Sequence, residues 1–338
     1  DFARKLGDRL KERVFEDVFL LLARGFIKGE PSAKDLGAVH QATLTFLYRL
    51  LFLFYAEARD LLPVREGKRG FFEVSLTRLK REIAEAGGTL EHEREGKLRK
   101  RYRPDAHALY DRLTVLFKAI DQGDRLRDVP RYNGGLFLTV PDADDDSPEA
   151  VTARYLLRHK VPDDALALAL DLLARDLDEK RHDLVHVDYK SLGVRQLGSI
   201  YEGLLEFRLR VADGKLASVV EKGRDVWAPF ADLDSKRQQR AEKEAKKRIV
   251  RKGEVYLEND RHERKATGSY YTPDHIVAYI VDQAVGPVLQ EKFEAMRPMI
   301  REAETDRRAF LAKQQELERR GLKREPPEKA DLIGEDVV

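Results

Sequence analysis

Apolar residues recur at helical spacing through most of the chain. In the first 30 residues they mark one face of an amphipathic helix that is expected to end near Gly25 or Gly29, and the positions are Phe2, Leu6, Leu10, Val14, Phe15, Val18, Phe19 and Leu22. Residues 71–120 read as two or three further helices, and residues 163–178 resume the same spacing. The pattern therefore predicts a mainly α protein.

The segment from Phe46 to Pro63 is apolar nearly all round, which predicts a central buried helix. Its charged members are Arg49, Glu57 and Arg59. We expect these three side chains to form salt bridges at the rim of the fold.

Residues 264–289 read as a loop that ends abruptly in a helix. Thr272 suits the N-cap position, Pro273 fits the first helical position, and Asp274 places negative charge where the helix dipole favours it. Pro287 is expected to kink or restart the helix. The apolar positions that follow Thr272 repeat at helical spacing and predict one buried face, formed by Ile276, Val277, Ile280, Val281, Ala284, Val285, Val288 and Leu289.

The residues ahead of Thr272 add features of a ligand site. Gly268 gives a permissive backbone, Tyr270 and Tyr271 offer flat apolar rings, and a helix N-terminus presents free N–H groups to an anion. Together they suit a small ligand with a carboxylate and an aromatic ring. The alternative interpretation is a well-capped core helix without a ligand.

The stretch Lys-Ala-Thr-Gly-Ser-Tyr-Tyr-Thr-Pro at 265–273, followed by Ile-Val, resembles the cofactor-binding segment (motif X) of adenine-specific DNA methyltransferases. The resemblance is to the large methylases of type IIG restriction–modification and related phage-defence systems. It implies that Thr272 and Pro273, together with Tyr270, Tyr271 and Gly268, lie against the methionine part of S-adenosylmethionine.

Further segments resemble the same family. The run at 46–63 is similar to one that precedes the methylase domain, and Tyr132 to Phe137 reads Tyr-Asn-Gly-Gly-Leu-Phe as in those enzymes. Because two glycines usually mark backbone geometry, we interpret the second segment as a structural turn. A Gly-x-x-Tyr-Glu helix at 197–206 also matches, and its Tyr201 and Glu202 are interpreted as core packing, with a place near the cofactor site as the alternative.

Two motifs that such an enzyme needs do not occur in the sequence. One is the Asp-Pro-x-x-Gly-Ser-Gly turn that approaches the cofactor, and the other is the Asn-Pro-Pro-Tyr/Phe tetrapeptide that holds the flipped adenine. In the family the glycine-rich turn follows soon after the helix that starts at Thr272. The resemblance thus implies that the sequence stops just short of this turn, and that the chain alone is catalytically inactive. We assign it no catalytic residue.

Composition narrows the class of protein. The chain has 338 residues, 37% of them charged, a mean hydropathy of −0.55, a net charge of +2 and no cysteine. This excludes disulfides and thiolate metal sites and suits a cytoplasmic protein. The most apolar run, residues 44–56, is shorter than the ~20 residues of a membrane span, so no membrane association is expected. His182 and His186 are spaced for a shared metal only on a helix, and we expect no metal site.

Two segments are rich in Lys and Arg. Residues 94–103 contain six basic residues and one acid, and residues 236–252 contain nine basic residues and two acids. Such runs are usually solvated faces, and contact with DNA phosphates is the alternative. The candidate DNA-binding residues are Arg99, Lys100, Arg101, Lys246, Lys247 and Arg248.

The resulting expectation is a helical connector domain over 1–195, followed by the N-terminal segment of a Rossmann-like methyltransferase domain over 196–338 without its central parallel sheet. The second segment would hold the loop and helix at 264–289 and a charged helical tail at 290–325. The resemblance implies a parent enzyme that transfers a methyl group from S-adenosylmethionine to adenine in duplex DNA, with other restriction or defence-system subunits as possible partners. The alternative is a non-catalytic helical DNA-binding or scaffold module of a phage-defence complex.

Overall fold

Helices dominate the computed structural model, which is 65% helix and 11% strand. It describes residues 2–27, 33–64, 70–132, 134–178, 180–221, 224–243, 248–259, 272 and 274–321. The prediction of a mainly α protein is confirmed. The described residues fall into two units, one within Asp1–Tyr270 and one within Tyr271–Val338.

The helices of the first unit lie mostly before residue 205. They are α1 (Phe2–Arg13), α2 (Phe19–Phe26), α3 (Ala33–Ala58), α4 (Leu76–Gly87), α5 (Glu91–Arg101), α6 (Ala108–Gln122), α7 (Pro148–Arg158), α8 (Asp163–Ala174), α9 (Val194–Leu204) and α10 (Ser235–Lys243). A π-helical turn, Val14–Val18, joins α1 to α2 without a break, so the amphipathic helix predicted for the start of the chain continues to Phe26.

Side-chain caps fix the starts of two of these helices. Ser75 Oγ accepts a hydrogen bond from Arg78 N at 3.1 Å and caps α4. Ser147 Oγ accepts one from Ala150 N at 3.2 Å and caps α7, whose first turn contains Pro148. Both match the preference of serine for the N-cap.

The long helix α3 runs through the core of the first unit. Phe46, Leu47 and Leu50 are fully buried, and the Phe46 ring stacks on Tyr110 of α6 with centroids 5.2 Å apart. Within the described residues α3 holds the one stretch, Asp35–Ala58, that is long and apolar enough to cross a membrane by length and composition. Most of that stretch (67%) is buried inside the fold, and core helices of soluble proteins meet the same test.

The strands form small antiparallel sheets. They are β1 (Arg175–Asp178), β2 (Asp183–His186), β3 (Phe207–Val211), β4 (Leu216–Glu221), β5 (Arg224–Pro229), β6 (Ile249–Val250) and β7 (Val255–Asn259). β1 pairs with β2, β3 pairs with β7, and β4 lies between β5 and β6.

The sheet β5-β4-β6 and α10 make a small module with its own apolar cluster. Ala217 and Val219 of β4 are buried together with Leu233 and with Ala241 of α10. The Trp227 ring of β5 contacts Tyr256 of β7 with centroids 5.5 Å apart. The module thus attaches to the helical part through the β3–β7 pair.

The core continues across residue 195, where a domain boundary is predicted. Ile200 and Leu204 of α9, Leu209 of β3 and Leu257 of β7 belong to the same buried cluster as Leu6 of α1. In the structure the division of the chain comes later, after Tyr270. The boundary between the two proposed functional domains stays a prediction.

The second unit contains two helices, α11 (Asp274–Ala284) and α12 (Gly286–Arg319). Pro287 lies in the first turn of α12, which confirms the predicted restart of the helix at this proline. The predicted charged helical tail is confirmed over the described part of α12.

Candidate functional site

The predicted cofactor-binding segment is described at one residue, Thr272. It is exposed and non-helical, and α11 begins two residues later at Asp274. Gly268, Tyr270, Tyr271 and Pro273 lie outside the described residues. Because Pro273, the residue immediately before α11, lies outside the described residues, the N-cap of α11, its hydrogen bond and the ligand contacts of the segment stay predictions.

The apolar face of α11, predicted to be buried, is exposed. Its large apolar side chains are between 42% exposed, at Ile276, and 66% exposed, at Tyr279. The exposed row continues into α12 at Val285, Val288, Leu289, Phe293, Met296, Met299 and Ile300. The prediction of burial is wrong for this chain, because a helix pair has too few layers to enclose an apolar face.

Three of the segments singled out in the sequence meet on α3. Arg49 of α3 donates from Nε to the carbonyl oxygen of Leu136 at 2.6 Å and from Nη2 to that of Leu138 at 3.0 Å. Its guanidinium lies over the rings of Phe117 and Phe137, at 5.2 and 5.9 Å from their centroids. Burial lowers the pKa of Arg49 to about 10, so the group stays charged at neutral pH.

The Tyr-Asn-Gly-Gly-Leu-Phe segment is a turn held against α3, as predicted. Tyr132 Oη donates to the carbonyl oxygen of Leu61 at 2.9 Å, and Gly135–Phe137 form a 3₁₀ turn. The ring of Phe137 is buried and contacts Phe52 with centroids 5.4 Å apart. Asn133 lies outside the described residues.

The third segment, which contains the Gly-x-x-Tyr-Glu pattern, lies in α9 and also contacts α3. Tyr48 of α3 and Tyr201 of α9 contact each other with ring centroids 4.5 Å apart, and Tyr48 Oη donates to the carbonyl oxygen of Tyr201 at 3.3 Å. Tyr201 is 46% exposed, so its interpretation as core packing is wrong. The core-facing side chains of α9 are those of Ile200 and Leu204.

Among the described residues Arg49, Glu57 and Arg59 form no salt bridges at the rim of the fold, and that prediction is wrong. Glu57 is buried and accepts hydrogen bonds from Leu76 N at 2.8 Å and Thr77 N at 2.6 Å, the first amides of α4. Arg59 donates to the carbonyl oxygens of Lys190 and Leu192, both at 3.1 Å. Arg59 lies in the exposed turn after α3. Arg49 and Glu57 are buried charges, which need partners, and backbone groups of neighbouring segments supply them.

Sequence reasoning missed a buried charge cluster between α5 and α8. Asp171 of α8 is fully buried and accepts two hydrogen bonds from Arg175, at 2.8 and 2.9 Å. Arg94 of α5 approaches the same carboxylate at 3.8 Å. The sequence feature that could have revealed this cluster is an Asp and an Arg four residues apart in a leucine-rich helical segment. The cluster joins the two helices.

The two basic segments differ in how their charges are used. Arg99 pairs with Glu95 at 3.1 Å and with Asp164 at 2.9 Å, whereas Lys100 and Arg101 are exposed at the end of α5. In the second segment Lys246 and Lys247 lie outside the described residues, and Arg248 is half-buried. The structure thus describes four of the six candidate residues, three at the end of α5 and Arg248 just before β6.

Metal binding has no support in the part of the chain that the structure describes. No group of three or more His, Asp or Glu side chains there is placed to hold a metal ion. His186 lies in strand β2 and His182 in the turn before it, so the two are not one helical turn apart.

Comparison of the chain with protein-family models, with curated proteins and with solved structures gives no match. The fold and the site geometry are therefore interpreted from the residues themselves.

Proposed function

We propose that this chain supplies the helical connector and the cofactor-binding segment of an adenine-specific DNA methyltransferase of a restriction–modification or phage-defence system. The proposal combines the resemblance of residues 265–273 to motif X with the exposed apolar face of α11, the helix that follows this segment. Its substrates are S-adenosylmethionine and adenine in duplex DNA, and its place is the cytoplasm.

The exposed apolar face of α11 is the observation that carries the proposal. Side chains such as Val277, Ile280 and Val281 are each more than 40% exposed, and contiguous apolar surface of this kind marks an interaction site. A helix that starts at the cofactor segment and packs on the sheet of a Rossmann-like domain has this pattern. In the proposed enzyme that sheet covers α11 and provides the other wall of the cofactor site.

The helix start explains how the segment would hold the cofactor. Free N–H groups of the first turn of α11 and the helix dipole favour a carboxylate, and S-adenosylmethionine carries one in its methionine part. Thr272 would cap the helix, and a ring of Tyr270 or Tyr271 would form a wall beside the ligand. The tetrapeptide that holds the flipped adenine in such enzymes does not occur in this sequence, so we place no catalytic residue in the chain.

A second candidate function is a non-catalytic DNA-binding or scaffold module. It is favoured by the first unit, which buries a large apolar core of its own and exposes the basic helix α10. The gene sequence beyond residue 338 separates the two candidates. An Asp-Pro-x-x-Gly-Ser-Gly turn followed by Asn-Pro-Pro-Tyr supports the methyltransferase, and the absence of both supports the module.

The direct test is calorimetry with S-adenosylmethionine on the intact gene product and on residues 1–338. We expect measurable binding by the first and weak or no binding by the second, because the second wall of the site is missing. Thr272→Ala in the intact protein should raise the Kd about five- to tenfold, the equivalent of a cap of ~1 kcal/mol.

The matched control is Thr305→Ala, which removes an exposed hydroxyl from the middle of α12. It should leave the Kd unchanged. Tight binding by residues 1–338, or unchanged binding by both Thr272→Ala and Tyr271→Ala, would refute the proposal.

A further inference from the structure

Helix α10 is held with one side against the sheet of the small β module. Ala241 is buried with Ala217 and Val219 of β4, and Gln238 Nε2 donates to the carbonyl oxygen of Phe230 at 2.9 Å. At the start of the helix, the carboxylate of Asp234 accepts from Arg237 N at 2.9 Å. These contacts fix which side of α10 faces outward.

The outward side of α10 carries a row of cations. Lys236, Arg240 and Lys243 follow one another at spacings of four and three residues, which places them on one helical face, and all three are exposed. Among the residues that the structure describes, none of the three forms an ion pair. We name Lys236, Arg240 and Lys243 the α10 basic row.

Two described acidic residues beside the row, Asp234 and Glu242, have other partners, and Glu244 lies outside the described residues. Glu242 pairs with Lys215 at 3.5 Å, and Asp234 pairs with Arg237 at 3.5 Å. Both interactions lie off the row, since positions 234 and 242 are turned away from it on a helix of 3.6 residues per turn.

Helix α5 neutralises part of its positive charge within the fold. Lys97 pairs with Glu93, and Arg99 pairs with both Glu95 and Asp164, whereas Lys100 and Arg101 are exposed. On α10 the described residues supply no carboxylate partner to any of the three cations of the row. Mutual repulsion makes such a row costly unless an anionic partner accepts it.

The dimensions of the row suit the backbone of a nucleic-acid duplex. Seven residues of helix rise about 10 Å. Duplex DNA carries one phosphate per strand every ~3.4 Å along its axis, so the row spans roughly three phosphates. The residues of α10 include no aromatic side chain, which a platform for stacking single-stranded bases would need.

We infer that the α10 basic row binds the phosphate backbone of duplex DNA and positions the protein without reading base sequence. Lys and Arg contacts to phosphate contribute affinity and orientation, and sequence is read elsewhere. The choice of DNA over RNA rests on the proposed function, whereas the duplex geometry rests on α10 alone.

The test compares two triple variants of the full chain with the same change in net charge. The first removes the row, Lys236→Gln, Arg240→Gln and Lys243→Gln. The control is Lys160→Gln, Arg297→Gln and Arg320→Gln, whose cations all have carboxylate partners and lie outside both basic segments. Glutamine keeps the helix propensity of lysine and arginine, so both should fold, and circular dichroism verifies this.

Fluorescence anisotropy then measures the Kd for 20-base-pair DNA duplexes of two unrelated sequences between 50 and 200 mM salt. Loss of three phosphate contacts should reduce the slope of log K against log salt by about 2.7. Binding at 50 mM salt should weaken about 10- to 100-fold, equally for both sequences. The control should keep the slope of the parent chain and its affinity within about twofold.

Several outcomes would overturn the inference. They are failure of the parent chain to bind duplex DNA, an unchanged salt slope in the row variant, and a loss of affinity in the control as large as that in the row variant. Binding of an equivalent RNA duplex in strong preference to DNA would also overturn it. An acidic protein as partner would appear as row-dependent binding of poly-glutamate without row-dependent binding of DNA. None of these measurements contains S-adenosylmethionine, so they test DNA binding by the row independently of the methyltransferase proposal.

Discussion

His40 is a histidine that the fold keeps neutral. It lies on α3, is 7% exposed, contacts the Phe19 ring, and its Nε2 has no hydrogen-bond partner among the described residues. Burial lowers its pKa to about 4, the charge of Arg208 adds to this, and a hydrogen bond with the Phe207 backbone acts in the opposite direction. An imidazole in this position is a source of acid sensitivity.

We predict that His40 makes the protein less stable as pH falls from about 6.5 to about 4. In this window the unfolded chain binds a proton at His40 and the folded chain does not, so the free energy of unfolding decreases. The full effect is on the order of 3 kcal/mol, at about 1.4 kcal/mol for each pH unit between the two pKa values. Urea unfolding of the parent chain and of His40→Leu, at several pH values, measures it.

The control for this prediction is His92→Leu on α5, where the side chain is 78% exposed. It should keep the pH dependence of the parent chain, whereas His40→Leu should flatten it between pH 6.5 and 4. If the two variants lose equal stability across that window, His40 is not the responsible group.

At the residue scale the sequence identified the unusual positions better than their partners. Arg49 and Glu57 stood out as charges on an apolar helix, but their partners are backbone groups of Leu136 and Leu76, far along the chain. Periodicity reports which side of a helix is apolar. It does not report which segment later packs against that side.

The close packing of α1 against α9 is a second feature that could not be predicted from the sequence. A Cβ atom at Gly203 would lie 2.7 Å from Phe15 Cζ, and one at Gly7 would lie 2.9 Å from Gln196 Cγ. The glycines were visible in the sequence, but only the structure shows that they let two helices approach. Phe15 is itself held by an edge-to-face contact with Phe207, with centroids 5.0 Å apart.

We predict that Gly203→Ala destabilises the protein by about 1–3 kcal/mol, because the added methyl group must displace Phe15 or separate α1 from α9. The matched substitution is Gly96→Ala in α5, where a Cβ atom would meet nothing within 4 Å. That variant should be neutral or more stable by up to about 1 kcal/mol, since alanine favours a helix interior over glycine. Equal effects of the two substitutions in urea unfolding would contradict the packing argument.

The strands divide into those that the sequence could have revealed and those that it could not. Residues 216–221 and 224–229 are two runs of six separated by two residues, with Val219 and Val226 in register, which is a hairpin pattern. Strand β1, by contrast, reads Arg-Asp-Leu-Asp and follows a helix directly. Its conformation comes from pairing with β2 and has no local sequence signal.

At the scale of the whole molecule, composition and periodicity predicted the helical class, because that property sums many local preferences. The position of the division in the chain could not be predicted in this way. It depends on long-range packing, such as the hydrogen bond from Arg24 Nη2 to the carbonyl oxygen of Val255 at 3.3 Å. The candidate cofactor segment was found by resemblance, and the exposed face beside it by the structure.

The shared core gives a prediction about where the chain can be cut. Truncation after residue 195 removes five buried apolar side chains of the common cluster, namely Ile200, Leu204, Leu209, Val255 and Leu257. Burial of each stabilises the fold by about 1.5–3 kcal/mol, so the combined loss is comparable with the roughly 5–15 kcal/mol that holds a typical domain folded. We therefore expect residues 1–195 to lose cooperative unfolding, and residues 1–270, which keep the whole cluster, to retain it.

Urea unfolding followed by near-ultraviolet circular dichroism distinguishes these outcomes. The signal is informative because Phe207 and Tyr256, which lie after residue 195, pack on aromatic rings of the fold. Residues 1–270 should show a single transition, whereas 1–195 should show weak near-ultraviolet signal and a broad, non-cooperative change. A sharp transition in 1–195 at the same urea concentration would mean that the helical domain folds without α9, β3 and β7. Residues 1–195 would then be an independent folding unit, as the predicted boundary at residue 195 implies.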